Sequence, residues 1–74
     1  MENTIIPIII QNAKNRSITI YVSLNETIAS AKEKYYNKVG SKVYNQWKYD
    51  GDVLQDNQTF LEIGIEKNDI ITEN

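Results

Sequence analysis

The sequence TIASAKEKYYNKVG, residues 27–40, has the pattern of one amphipathic helix. Its apolar residues recur at three- and four-residue intervals, the spacing of a single helical face; they are Ile28, Ala31, Tyr35 and Val39. Thr27 can accept a hydrogen bond from a free amide of the first turn, and Gly40 suits the left-handed position that ends many helices. The charged residues of the segment are predicted to lie on the other faces; they are Lys32, Glu33, Lys34 and Lys38.

Two strands precede this helix and give it a surface to pack against. The run IIPIII, residues 5–10, is β-branched and apolar, and SITIYV, residues 17–22, alternates apolar and polar side chains. The short polar segment between them predicts a hairpin turn. Because a proline in the middle of a strand removes a hydrogen bond of the sheet, we expect Pro7 to be the first residue of its strand.

Short strands follow the helix. Trp47 and Tyr49 flank Lys48, and this alternation predicts that Trp47 faces the core. Residues 49–52 predict a tight turn, the segment around Phe60 a single helical turn, and residues 70–72 a last strand. The order predicts one α+β domain over residues 1–74, in which a mixed four- to five-stranded sheet packs on one helix.

Composition excludes several classes of function. The chain has 74 residues with no Cys and no His, which excludes a disulfide framework, a thiolate nucleophile and a conventional zinc site. The formal net charge of −2 argues against nucleic acid as a partner. No apolar run approaches the roughly 20 residues of a membrane span, and no signal peptide is recognisable. We expect a soluble, monomeric, cytoplasmic or nuclear protein without metal or cofactor, whose partners are proteins.

Motifs for catalysis are weak. Asp50 and Asp52 flank Gly51, a pattern that is far more typical of a turn than of paired catalytic carboxylates or a calcium loop. The three glycines stand alone, so the chain has no glycine-rich phosphate loop. We predict that the protein is not an enzyme and has no catalytic residues.

The order of elements, and the residues that begin and end them, resemble the ubiquitin family, whose fold is the β-grasp. The resemblance covers about residues 6–74, with one residue fewer between Gly40 and Gly51. The matching residues are Asn25, Glu26, Thr27, Ile28, Lys32, Lys34 and Gly40 at the helix, and Asp50, Gly51, Leu54, Asp56, Thr59, Phe60, Ile65, Ile70 and Ile71 after it. The alternative is a β-grasp domain of another family.

The resemblance bears on function through the end of the chain. Family members that are conjugated carry a flexible tail ending in Gly-Gly, whereas this sequence ends in Thr72-Glu73-Asn74. As given, it is expected not to be activated or conjugated. We predict a non-catalytic ubiquitin-like interaction module, part of a larger or precursor protein. The alternatives are a protein modifier whose Gly-Gly tail lies outside this sequence, and a structural subunit of a stable complex.

The positions that match the apolar binding patch of ubiquitin are altered. They hold Ala13, Lys48 and Asn74, so a charge and an amide replace apolar side chains. Helical ubiquitin receptors that rely on that patch are therefore expected to bind poorly. Lys67 matches a chain-linking lysine of the family and is the candidate linkage lysine, whereas Asp52 occupies the other well-known linkage position.

Charge is unevenly distributed along the chain. Residues 31–48 contain five lysines and one acid, and residues 49–74 contain seven acids and one lysine. Two tyrosines, at positions 36 and 44, are expected to be exposed among the lysines, as in the anchors of protein interfaces. The candidate interaction surface consists of Tyr36, Lys38, Lys42, Tyr44 and Lys48. The alternative is two solvated faces that keep a small domain in solution.

Overall fold

The computed structural model describes residues 4–41 and 44–74. Its elements are β1 (Ile5–Gln11), β2 (Ser17–Ser23), α1 (Ile28–Val39), β3 (Trp47–Tyr49), β4 (Asp52–Val53), α2 (Phe60–Ile63) and β5 (Ile70–Glu73). The strand order is β2-β1-β5-β3-β4, with β1 and β5 parallel and the other neighbours antiparallel. The predicted α+β fold with a mixed sheet is confirmed. No helix in the described part of the chain is long and apolar enough to cross a membrane.

Helix α1 begins and ends as the sequence predicts. The Thr27 side chain accepts a hydrogen bond from the Ser30 amide, and Gly40 has a φ of 75° at the left-handed C-cap. Three of its residues lie differently from the prediction, namely Val39, Lys32 and Tyr36, the last of which is buried. Val39 is 40% exposed because it lies in the last turn, at the wall of a surface cavity. Lys32 is instead buried.

One apolar core lies between α1 and the inner face of the sheet. Its residues are Ile8, Ile10, Ile20, Val22, Ile28, Ala31, Tyr35, Tyr36, Trp47, Leu54, Phe60, Ile65 and Ile71. Trp47 is fully buried, as its alternation with Lys48 predicts. The Lys32 ammonium reaches the edge of this core, where it is 3.0 Å from Asp56 Oδ1 and 6.0 Å from the centre of the Trp47 ring.

Pro7 lies inside β1, not at its first residue as expected from the sequence. It is opposite Tyr21, whose carbonyl accepts a hydrogen bond from Lys34 Nζ and so points away from β1. The pair is therefore one that exchanges no backbone hydrogen bonds. On the other side of β1, pairing with β5 begins only at Ile9. The missing amide of Pro7 thus removes no hydrogen bond from either ladder.

The turn between β3 and β4 has the predicted conformation. Asp50 and Gly51 both have positive φ values, 53° and 85°. This is the backbone of the two-residue hairpin turns that match the twist of antiparallel strands. The turn therefore brings β4 back beside β3 at the end of the sheet.

Candidate interaction surface

Helix α1 covers one side of the sheet and leaves the other side uncovered by any described element; we call this second side the open face. Because side chains alternate along a strand, the neighbours of the core residues point to it. They are Ile5, Pro7, Ile9 and Gln11 of β1, Ser17, Thr19, Tyr21 and Ser23 of β2, Ile70 and Thr72 of β5, Lys48 of β3 and Val53 of β4.

Five apolar side chains of the open face form one connected group, which we call the apolar patch: Ile5, Pro7, Ile9, Tyr21 and Ile70. Pro7 is the cross-strand partner of Tyr21, and Ile9 is that of Ile70. Three members are largely exposed, namely Ile5 and Tyr21 at 63% each and Ile70 at 50%. Contiguous exposed apolar surface on a small domain is typical of an interaction site.

Lys48 is the one charged residue that the five strands present to the open face. It is half-buried, lies opposite Thr72 and Val53, and forms no ion pair with any residue in the described ranges. Ile70, two residues before Thr72 on β5, is its diagonal neighbour across the ladder. The apolar patch therefore has a cation at one side.

The outer edge of β2 is occupied by lysine side chains from α1. Lys34 Nζ donates to the Tyr21 carbonyl at 2.9 Å, and Lys38 Nζ donates to the Thr19 carbonyl at 3.1 Å. Lys34 Nζ is also 3.1 Å from Glu26 Oε1. Free carbonyls on an edge strand are what an added strand would pair with, so these two bonds protect that edge.

The prediction that Tyr36 is exposed is wrong, because its ring is buried in the core. Its hydroxyl donates to a carboxylate oxygen of Glu73 and accepts from the Asn45 amide at 3.0 Å and from Trp47 Nε1 at 3.2 Å. Burial, reinforced by the bond to Glu73, raises the pKa of Tyr36 to about 12. The hydroxyl thus links α1, β3 and β5 in a structural network.

The other residues of the predicted Tyr/Lys surface are dispersed. Tyr44 is 52% exposed and stacks on Tyr36, with ring centres 4.7 Å apart. Lys38 lies at the β2 edge, whereas Lys48 lies on the open face, and Lys42 lies outside the residues that the structure describes. Of the predicted residues within the described ranges, Lys48 is the one that adjoins the apolar patch.

Two of the three altered ubiquitin-patch positions line a cavity, and one of them, Asn74, is like Ile70 a diagonal neighbour of Lys48 across the ladder. Ala13 and Asn74 line a cavity of about 420 Å³ beside the C-terminal end of α1, and Lys14 and Arg16 line it too. The Asn74 amide donates to the Gln46 carbonyl at 3.1 Å, next to the β5–β3 ladder. The apolar surface of this chain is therefore centred on β1, away from these positions.

The segment before β5 is fixed by a phenol–carboxylate bond. Tyr49 Oη donates to Asp69 Oδ2 at 2.6 Å, and this bond raises the pKa of Tyr49 to about 12 and lowers the pKa of Asp69. Lys67 is exposed in the same turn. Its role as a linkage lysine stays a prediction.

Among the described residues there is no group of three or more His, Cys, Asp or Glu side chains placed to hold a metal ion. The pKa of Tyr35 is raised by burial and by the charge of Glu73, whereas the other groups with shifted pKa values form hydrogen bonds within the fold. Glu26 is one further case: burial alone would raise its pKa, but bonds from the Ser23 amide, the Ser30 hydroxyl and Lys34 lower it overall.

Sequence reasoning missed the apolar patch. Its signal was the unbroken apolar run of residues 5–10, since a strand that is apolar at every position presents apolar side chains to both faces of its sheet. Tyr21, the aromatic residue on the polar side of the alternating β2 pattern, was the second signal. Only the strand pairing shows that these residues are adjacent.

Comparison with known proteins agrees with this architecture. The Ubiquitin family model matches residues 8–73. The match begins within β1 and runs to the last residue of β5, so it includes all seven elements at least in part. A search of curated proteins finds no match. With a family match over most of its length and a mixed five-stranded sheet packed on one main helix, the chain belongs to the ubiquitin family.

Proposed function

We propose that this chain is a non-catalytic protein-interaction module that binds a partner protein through the open face of its sheet. The observation that carries the proposal is the apolar patch. Its exposed members, Ile5, Tyr21 and Ile70, are joined through the half-buried Pro7 and Ile9, so the surface is continuous across three strands. Burial of such a surface by a partner is favourable at about 25 cal/mol per Å² of apolar area.

The chemistry of the chain supports binding over catalysis. It contains no His and no Cys. The tyrosines with strongly raised pKa values, Tyr36 and Tyr49, are bonded to Glu73 and Asp69 in contacts that join elements of the fold. These perturbed groups therefore have a structural explanation and supply no reason to infer an active site.

The test is affinity purification from an extract of the source cells with three baits. The first bait is the unaltered chain. The second carries Tyr21→Ser and Ile70→Ser, which remove the exposed patch residues that lie on β2 and β5. The third carries Leu61→Ser, a matched control because Leu61 is 62% exposed but lies on α2. Circular dichroism melts establish that all three baits are folded.

We expect proteins that are retained by the unaltered chain and by Leu61→Ser but not by the double variant. A retained set that is the same for all three baits would contradict the proposal, because binding would then not use the open face. The proposal would also be contradicted if only the Leu61→Ser bait failed to retain these proteins, because that result would place the interaction at α2.

A structural subunit of a stable complex is a second candidate, favoured by the same exposed apolar side chains. In that case the patch is covered permanently, as in obligate interfaces, which are more apolar than transient ones. The two candidates differ in behaviour. A stable subunit copurifies with its partner in fixed stoichiometry and self-associates when isolated, whereas a transient module remains monomeric alone.

A further inference from the structure

We infer that the cavity beside the C-terminal end of α1 binds a small zwitterion, an amino acid or a dipeptide. Its carboxylate is held by Lys14 and Arg16, and its ammonium group is held by Glu73 and the hydroxyl of Tyr35. This site goes beyond the proposed function, because no residue of the apolar patch lines the cavity.

The hydroxyl of Tyr35 is a polar group that the described fold leaves without a partner. The residue is 2% exposed, and its hydroxyl forms no hydrogen bond within the described ranges. Fully buried polar side-chain atoms in those ranges all have a hydrogen-bond partner, as is usual in proteins. The Tyr35 hydroxyl is therefore accessible from the cavity that this residue lines, and a ligand there can bond to it.

Glu73 supplies a carboxylate with one oxygen still available. The Tyr36 hydroxyl and the Asn45 side-chain amide both donate to Glu73 Oε2, the amide at 3.3 Å. Oε1 accepts no hydrogen bond from the described residues. Burial and the charge of Glu73 raise the pKa of Tyr35, so the carboxylate lies within electrostatic reach of that residue. Glu73 Oε1 and the Tyr35 hydroxyl are thus two acceptors for an ammonium group, which has three donors.

The end of α1 adds to the negative character of the cavity. Val39, the last residue of the helix, lines it together with Ser41. Carbonyl groups in the last turn of a helix carry a partial negative charge, which favours a cation nearby. An ammonium group is therefore favoured in this part of the cavity, and an anion is disfavoured.

Two cations from the turn between β1 and β2 give the cavity a positive part. Lys14 and Arg16 are exposed, and neither forms an ion pair with a residue in the described ranges. Asn12 fixes this turn, because its Oδ1 accepts from the Lys14 amide at 2.9 Å and from the Arg16 amide at 3.0 Å. A guanidinium and an ammonium on one fixed turn are suited to bind a carboxylate.

The volume and the charges of the cavity limit the class of ligand. Its volume of about 420 Å³ equals that of roughly fourteen molecules of liquid water, which is enough for an amino acid or a dipeptide. A ligand with only anionic groups would be repelled by Glu73 and the end of α1, and a simple amine would be repelled by Lys14 and Arg16. A zwitterion satisfies both parts. The exposed side chain of Val39 favours a ligand with an apolar side chain.

An NMR titration of the nitrogen-15-labelled chain tests the inference with four small molecules. Leucine and glycyl-leucine are zwitterions of two lengths. Isocaproate lacks the ammonium group of leucine, and isoamylamine lacks its carboxylate. The variants are Arg16→Gln, Tyr35→Phe and the control Lys67→Gln, which removes one exposed cation that does not line the cavity. Circular dichroism melts verify that every variant is folded; Tyr35→Phe should melt like the unaltered chain, because its hydroxyl has no partner in the described fold.

We expect at least one of the two zwitterions to shift the backbone amide signals of the residues that line the cavity, with a Kd of about 1 mM, as for a ligand of this size. Isocaproate and isoamylamine should each bind at least about fivefold more weakly, because each lacks one charged hydrogen-bonding group. Arg16→Gln and Tyr35→Phe should each weaken binding of the zwitterion about threefold or more. Lys67→Gln should leave it unchanged.

Several results would overturn the inference. If isocaproate binds as well as the zwitterions, the cavity is a site for anions alone, and if isoamylamine does, it is a site for cations alone. Equal binding to the unaltered chain and to both Arg16→Gln and Tyr35→Phe would place the ligand elsewhere. So would signal shifts confined to the open face. The absence of any shift at about 20 mM of either zwitterion, far above the expected Kd, would exclude the site. The apolar patch is unaltered in every variant, so these results leave the proposed function to its own test.

Discussion

The Tyr36 hydroxyl joins three parts of the fold that are distant in sequence. It donates from α1 to Glu73 of β5 and accepts from Asn45 and from Trp47 of β3. The indole of Trp47 is fully buried, so its N–H has no access to water as a replacement partner. A buried donor without a partner costs more than the bond itself contributes.

Tyr36→Phe is therefore expected to lower the free energy of unfolding by about 1–3 kcal/mol. The variant keeps the ring in the core and removes only the hydroxyl. Urea unfolding followed by tryptophan fluorescence measures the effect. Tyr21→Phe, which removes an exposed hydroxyl, is the control and should leave stability unchanged; equal effects of both variants would contradict the role of the Tyr36 network.

Lys32 contributes mainly through its aliphatic stem. Its side chain is 11% exposed, whereas that of its partner Asp56 is 69% exposed. Loss of an ion pair with such an exposed partner costs less than about 1 kcal/mol, but loss of the buried methylene groups leaves a gap beside Trp47.

We expect Lys32→Ala to lower the free energy of unfolding by about 1–3 kcal/mol. Lys32→Met retains a stem of similar length and should cost less than half as much. Thermal and urea unfolding of the two variants compare the effects directly. If Lys32→Met lowers the free energy of unfolding as much as Lys32→Ala does, the charge of Lys32 and not its aliphatic stem is the stabilising part.

At the scale of elements, α1 protects the strand at one end of the sheet. Lys34 and Lys38 are four residues apart, one helical turn, and their bonds reach Tyr21 and Thr19, two residues apart on β2. One turn of α1 is thus about as long as two residues of β2, so the two lysines reach two successive outward-pointing carbonyls. Both lysines are exposed, so the protection consists of hydrogen bonds more than of buried area.

Replacement of both lysines by Ala is expected to expose the β2 edge and to increase self-association. Stability should fall by less than about 1 kcal/mol, because these contacts are at the surface. Sedimentation velocity across a range of concentrations measures the associated fraction. Lys14→Ala with Lys67→Ala is the matched control, since it removes the same charge from exposed turns and leaves the bonds of Lys34 and Lys38 to β2 in place. Association equal to that of the edge variant would attribute the effect to charge alone.

The elements could be predicted from the sequence wherever local chemistry defines them. Thr27 and Gly40 mark the ends of α1, and the alternation around Trp47 places it in the core. Misplaced residues depend on partners far along the chain. The buried Tyr36 forms a hydrogen bond with Glu73, 37 residues away, and the buried Lys32 forms an ion pair with Asp56, 24 residues away.

The position of Pro7 and the apolar patch could not be predicted for a related reason. Whether a strand residue belongs to a hydrogen-bonded or a non-hydrogen-bonded pair depends on the register with its neighbour, which leaves no signal in the strand itself. The adjacency of Ile9 and Ile70 likewise exists only through the parallel pairing of β1 with β5. Of the predicted site residues that the structure describes, Lys48 alone adjoins this surface, because the predicted set was chosen by proximity in sequence.

For the whole molecule, stability should be highest in a broad range around neutral pH. The folded pKa values of Tyr36 and Tyr49 are raised to about 12, above the value of about 10 in unfolded chains. Their contribution is therefore present below pH 10 and lost as the pH rises toward 12. The folded pKa values of Glu26 and Asp69 are lowered, so their contribution is present above about pH 4 and lost as the pH falls further.

Urea unfolding at intervals from about pH 2 to about pH 11.5 should show that stability declines at both acid and alkaline pH. Tyr49→Phe should make the alkaline decline in stability shallower, because it removes one of the phenols whose pKa is raised in the folded chain. Tyr21→Phe serves again as the control. A Tyr49→Phe profile that runs parallel to that of the unaltered chain above pH 10 would contradict this assignment.

The last strand of the chain lies at the centre of the sheet, between β1 and β3. A ribosome makes these partners in the order β1, β3, β5, so the nascent chain has a β1–β2 hairpin and a β3–β4 hairpin with no strand to join them. The core-facing side chains of the two hairpins cannot pack into one core until Ile71 leaves the ribosome and β5 fills the gap between β1 and β3. Folding during synthesis is thus expected to wait until residues 70–73 have left the ribosome, and chaperones that bind extended apolar segments are expected to bind residues 5–10 until then.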